Sequence, residues 1–112
     1  KSLIMIKFVY PLGRTHVNYG GEFVPSEIQG IRIGDFVIVT LSAEPFSQIG
    51  LNIKANSPYR HTFIAGYSNG YLHYAPTSES YKEGGYEIMN CILASQWQEI
   101  YEKKALEIIR KL

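Results

Sequence analysis

Phe36-Val37-Ile38-Val39-Thr40 is a run of five uncharged residues, nearly all β-branched. Such a run reads as a strand with cover on both faces. A second run, Thr62-Phe63-Ile64, lies further along. Between them the apolar period changes. Phe46, Ile49, Gly50 and Ile53 recur three to four residues apart, the spacing of a helix face. Pro45 is tolerated in a first helical turn, and Asn56-Ser57-Pro58 is a stop signal. Strand, helix, strand is a βαβ unit. Residues 36–41 and 60–66 are therefore expected to lie parallel, joined by a right-handed crossover.

The remaining segments fit around that unit. Residues 2–10 are apolar and partly β-branched, as in a strand, and Pro11-Leu12-Gly13 breaks it. Residues 14–27 contain Gly20-Gly21 and Pro25 and read as an irregular connection. Residues 28–33 form a short strand, and Gly34-Asp35 is a hairpin turn signal. Residues 67–87 make a long loop rich in glycine and tyrosine, a kind that is usually functional in compact domains. Residues 94–112 read as an amphipathic helix with Trp97, Ile100, Tyr101, Ala105, Ile108 and Leu112 on one face. Glu99 with Lys103 and Glu107 with Lys111 stand at i,i+4 away from it. The expected fold class is α/β: one domain, residues 1–112, with a mixed β-sheet flanked by helices.

Size and charge narrow the function. A chain of 112 residues holds one domain with an ordinary core. A net charge of +1 makes no electrostatic case for nucleic acid or an anionic membrane. No apolar run approaches the roughly 18 residues of a membrane-spanning helix. Cys91 is the single cysteine, which rules out an internal disulfide, and it reads as a buried small hydrophobe. The chain starts at Lys1 and runs directly into Leu3-Ile4-Met5-Ile6, which suggests a piece of something longer.

The chemistry gathers just past the two strand ends, where α/β proteins build their sites. Leu41-Ser42-Ala43-Glu44-Pro45-Phe46 offers a carboxylate. Glu44 can ligate a metal, act as a general base, or cap the following helix. Ala65-Gly66-Tyr67-Ser68-Asn69-Gly70-Tyr71-Leu72-His73-Tyr74 offers tyrosines and a histidine. Tyr67, Tyr71, Tyr74, Tyr81 and Tyr86 fit either ligand contacts or amphipathic packing. His16, His61 and His73 share no ligand spacing. Gly84-Gly85 allows either a turn or a close backbone approach to a ligand.

At these segments the chain resembles the neutral/alkaline (non-lysosomal) ceramidase family. The resemblance runs over residues 28–87. It is carried by Ile31-Arg32-Ile33-Gly34-Asp35, the L-x-x-E-P-F of residues 41–46, the A-G-Y-x-N of 65–69, the Y-x-H-Y of 71–74, Pro76-Thr77, and the E-G-G-Y-E of 83–87. It implies a zinc-dependent amidohydrolase that cleaves the N-acyl bond of ceramide or a related lipid amide. It implies four zinc ligands: two histidines from an earlier region, to which no segment here corresponds, then Glu44 and Tyr74. Tyr86 falls on a tyrosine that contacts the substrate amide. The chain then resembles the C-terminal portion of a ceramidase-like catalytic domain, inactive alone, holding zinc weakly or not at all. Its partner would be an N-terminal region or second chain bearing the two histidines. The alternative from another class is a non-catalytic binding or assembly module that kept the fold.

Such a portion exposes the apolar surface against which its complement would pack, and large exposed patches drive association. The isolated 112-residue chain is expected to self-associate. Sedimentation at high concentration checks this; a strictly monomeric profile counts against it.

Overall fold

A computed structural model describes residues 2–7 and 23–112. The chain opens with an antiparallel pair, β1 (Ser2–Lys7) and β2 (Phe23–Ile28), in the register Ser2↔Ile28 to Lys7↔Phe23. Residues 23–27, expected to be irregular, are thus strand. Pro25 argued against that, since it lacks an N–H for a ladder. β2 pairs on one side only within its two-stranded sheet, and such an edge strand accommodates a proline. Residues 8–22, and with them His16, lie outside the described residues.

The βαβ unit forms as expected. β3 (Gly30–Ile33) and β4 (Phe36–Thr40) make an antiparallel hairpin across Gly34-Asp35. A two-residue strand, β5 (Glu44–Pro45), follows and leads into α1 (Ser47–Asn56). β6 (His61–Ala65) then returns parallel to β4, giving a mixed sheet in the order β3-β4-β6.

The helix begins two residues later than its proline suggested. Phe46 is the N-cap residue and makes no side-chain capping bond, so Glu44 does not cap α1. Pro45 lies in β5, not in the first helical turn. Its missing N–H is not needed there: Glu44 N donates to His73 O (2.9 Å) and Phe46 N donates to Ala75 O (3.1 Å).

The stretch expected as one long loop is partly structured. It contains β7 (Tyr74–Ala75), parallel to β5, and a single turn, α2 (Ser80–Glu83). Tyr86 opens a second turn, α3 (Tyr86–Met89). The long helix, α4, runs over Trp97–Arg110.

α1 packs on β6 and on α4, and α4 packs on β3 and β4, so both helices cover the same face of the sheet. Val37 and Val39 point into that layer and are fully buried with Ile49, Ile53, Trp97 and Tyr101. Directional bonds fix α4. Trp97 Nε1 donates to Pro76 O (2.7 Å), the Tyr101 hydroxyl donates to Thr40 O (3.1 Å), and Asn52 of α1 donates to Glu102 (2.8 Å).

The buried stripe of α4 is Trp97, Tyr101, Ala105 and Ile109. Steps of four residues advance about 400°, so the stripe drifts by about 40° per step around the helix. That drift brings Ile109 into the core, where the straight-face reading omitted it, and leaves Ile100 at 36% exposure. Ile108 and Leu112 pack partly against the core, as expected. Glu107 pairs with Lys111 (3.3 Å) and also with Lys104 (3.2 Å). Glu99 and Lys103 form no ion pair among those described. Exposed pairs of this kind add little, so the loss has no structural consequence.

Two substitutions test this packing by urea unfolding. Trp97→Ala is expected to cost about 3–5 kcal/mol, because it empties a fully enclosed site. Tyr101→Phe keeps the ring and removes one hydrogen bond, and is expected to cost about 0.5–1.5 kcal/mol.

Candidate functional site

The segment 41–46 is held on both sides by backbone hydrogen bonds. On one side Leu41 N donates to Ala65 O (2.9 Å), Tyr67 N to Ala43 O (3.0 Å) and Ser68 N to Leu41 O (3.0 Å). On the other side Leu72 N donates to Ser42 O (2.7 Å), and β5 pairs with β7. Gly66 makes the first contact possible. A Cβ there would stand 3.0 Å from Pro45 Cδ and 3.2 Å from Ala43 O. The two polar segments expected at the strand ends are therefore one unit, at the carboxyl end of the parallel pair β4–β6.

This unit brings together most of the candidate residues. Glu44 and Tyr74 are register partners across β5 and β7, which sets them side by side. The Tyr67 hydroxyl donates to the Glu44 carboxylate. Tyr67 stacks on Tyr71 (5.6 Å between ring centres), and Tyr71 meets the His73 ring at 4.9 Å. Tyr74 meets Tyr86 edge-on at 5.9 Å. Tyr67, Tyr71 and Tyr86 are half or more exposed, so the cluster opens to solvent. Tyr86 follows Gly84 (φ +71°) and Gly85 (φ +109°). Those dihedrals favour glycine, and the pair links α2 to α3 with no side chain crowding it.

Tyr67, Asn69 and His73 have φ of +54°, +62° and +58°. Non-glycine residues in the left-handed region are uncommon, and each stores on the order of 1–3 kcal/mol that the surroundings must offset. Here the backbone bonds to 41–46 hold two of them directly. Strain concentrated within seven residues of one another beside a carboxylate is typical of functional loops.

Other candidates fall elsewhere. Tyr81 donates its hydroxyl to Leu93 O (2.8 Å) and lies 3.2 Å from the Cys91 sulfur; its role is packing. Cys91 is 4% exposed, and burial pushes its thiol pKa up, as suits an inert core residue. His61 is at the far end of β6, stacked on Phe36 at 4.8 Å. Sequence reasoning placed Tyr67 only among five equivalent tyrosines. The signal that singles it out is its position immediately after Gly66, which lets the backbone approach Ala43.

No protein-family model and no curated protein matches this chain. Solved structures do. The neutral ceramidase from Pseudomonas aeruginosa superposes with a TM-score of 0.65 at 26% identity, over 79% of this chain and 15% of that one. A ceramidase complexed with C2 superposes with a TM-score of 0.67 at 23% identity, over 88% of this chain and 18% of that one, and speaks to the fold alone. The chain is ceramidase-like. It spans less than a fifth of the length of either relative.

In this ceramidase-like chain Glu44 offers a carboxylate oxygen of a kind a zinc ion accepts, while Tyr74 beside it is a phenol, a less common donor that must lose its proton to serve as one. A tetrahedral site needs four. Among the described residues no group of three or more His, Cys, Asp and Glu assembles that would hold a metal. The donors fit half a zinc site in kind, and a complete one requires donors from outside this set.

The hydroxyl of Tyr67 titrates with a pKa pushed up to about 12, first because it donates to Glu44 and then because burial and the same carboxylate's charge oppose a phenolate. Partial burial, then Glu44's charge, raise Tyr74. In the metal-free chain Glu44→Gln is expected to move the Tyr67 ionisation down toward the ordinary tyrosine value of about 10. Carbon NMR of ring-labelled tyrosine across pH 8–13 reads this directly. A Tyr67 pKa unchanged by the substitution would remove the carboxylate as its cause.

Proposed function

We propose that this chain is a portion of a zinc-dependent amidohydrolase acting on a lipid N-acyl amide of the ceramide class. Glu44 and Tyr74 would supply two ligands and Tyr86 a substrate contact, and the chain alone would be inactive. The observation that carries the reading is the side-by-side pairing of Glu44 and Tyr74 across β5 and β7, with the Tyr86 ring against Tyr74. The likeness to the Pseudomonas aeruginosa neutral ceramidase supports the same class of chemistry.

Each residue has a physical task. Glu44 presents a carboxylate oriented by the Tyr67 hydroxyl, in the way that a second group commonly fixes a metal-binding side chain. Tyr74 presents its oxygen beside that carboxylate. When bound, zinc supplies Lewis-acid activation of the scissile carbonyl and of the attacking water. Tyr86 is 67% exposed at the start of a one-turn helix, which leaves it open to a substrate. A donor so placed stabilises developing negative charge. The two missing ligands would come from polypeptide outside these residues.

The test uses the full reading frame that carries these residues, with zinc content and hydrolysis of a fluorescent N-acyl sphingosine as readouts. Glu44→Ala is expected to weaken zinc binding by more than the roughly 10- to 100-fold typical of a group that only orients a ligand. Tyr86→Phe is expected to keep zinc and lower kcat by about 10²–10³-fold. Full activity in Glu44→Ala would overturn the proposal. No hydrolysis and no zinc in the unsubstituted protein would turn the assignment to a binding or assembly module.

A further inference from the structure

Five asparagines occur in the chain, and only Asn69 is followed by glycine. An asparagine amide is open to attack by the backbone nitrogen of the next residue. Glycine, with no Cβ, leaves that nitrogen least hindered. Asn18 lies outside the described residues. Three of the other four hold their amides in hydrogen bonds. Asn52 Nδ2 donates to Glu102 (2.8 Å), Asn56 Nδ2 to Asn52 O (2.8 Å) and Asn90 Nδ2 to Tyr86 O (2.7 Å). Asn52 and Asn56 are also fixed in α1. Asn69 differs. It and Gly70 are exposed, lie outside every described helix and strand, and make no hydrogen bond among the described residues.

We propose that Asn69 is a site of spontaneous deamidation, and that its isoaspartyl product loosens the loop leading to Tyr74. Gly70 N attacks Asn69 Cγ and a new N–C bond forms. The Cγ–Nδ2 bond breaks, and the amide nitrogen leaves as ammonia with the proton from Gly70 N. Water then opens the cyclic imide at either carbonyl. One opening leaves a normal aspartyl link. The other leaves an isoaspartyl link, in which the main chain runs through the side chain and is one carbon longer. Asn69 has φ of +62°, so it rotates to bring the two atoms together, and no described hydrogen bond is broken by that rotation. The span around it has little room for a longer chain. Ser68 N donates to Leu41 O (3.0 Å), Ser42 Oγ to Ser68 O (3.1 Å) and Leu72 N to Ser42 O (2.7 Å), so residues 68 and 72 are pinned to adjacent residues. Between them Gly70 passes close over buried Ser42, where a Cβ on the glycine would stand 3.1 Å from Ser42 Cβ. Tyr74, the register partner of Glu44, follows two residues after Leu72. The inference does not rest on the zinc reading, since the imide forms whatever the site binds.

The experiment incubates the full reading frame that carries these residues at neutral pH. Peptides are mapped by mass spectrometry with fragmentation that separates aspartyl from isoaspartyl links. The same protein in urea gives the rate of the unrestrained chain. The expected result is amide loss at Asn69 in the folded protein, with isoaspartyl product, while Asn52, Asn56 and Asn90 keep their amides. In the isoaspartyl form, separated by ion exchange, the Leu72 amide is expected to exchange its hydrogen about tenfold faster, the loss of roughly one net hydrogen bond. The Asn69→Gly variant suits the positive φ and, incubated alike, is expected to keep its Leu72 protection. An intact Asn69 in the folded protein after the urea sample has lost its amide would overturn the proposal. So would an isoaspartyl form with unchanged Leu72 exchange, or an equal loss of protection in Asn69→Gly.

Discussion

The hydrogen-bonded seating of residues 41–46 between 65–68 and 72–75 is the constraint on which the rest depends. It ends β4, starts α1 and fixes the long connection against the sheet. Its backbone bonds satisfy a segment whose Leu41, Ser42 and Ala43 are buried and would otherwise leave polar groups without water. Gly66 permits the closest approach, and the left-handed Tyr67 follows at once. The polar cluster is thus a by-product of how one strand leaves the sheet.

The cluster's electrostatics follow from the same geometry. One carboxylate sits among several phenols, and each phenol that nears it becomes harder to ionise. Such an arrangement holds neutral hydroxyls beside a negative charge. That is a poor preparation for general-base chemistry by tyrosine. The strain at Tyr67, Asn69 and His73 lies where this geometry is set, while the core around Trp97 and Tyr101 is free of it.

The βαβ unit was legible from period alone, because a strand repeats every two residues and a helix every 3.6. The hairpin at Gly34-Asp35 and the burial of Cys91 were legible for similarly local reasons. The ceramidase resemblance, carried by short motifs in order, agrees with the structural match. β2 was not legible, since Pro25 is a breaker signal unless the strand is known to lie at an edge. The face of α4 was misjudged at Ile100 and Ile109, because the stripe's drift depends on how the helix crosses the sheet. The roles proposed for Glu44, Tyr74 and Tyr86 rest on the motifs, and the structure adds that the three share one neighbourhood.

The sequence by itself determined the α/β class, the parallel crossover and the delivery of polar residues to one strand end, since each follows from side-chain period and backbone restriction within a few residues. Tertiary structure decided which of those residues meet. Whether Glu44 caps a helix or faces a tyrosine depends on a two-residue strand pairing with a segment thirty positions away. Whether the apolar residues of β3, β4 and β6 are core or surface depends on which face the helices choose. Both are long-range choices, made by packing and not by local propensity.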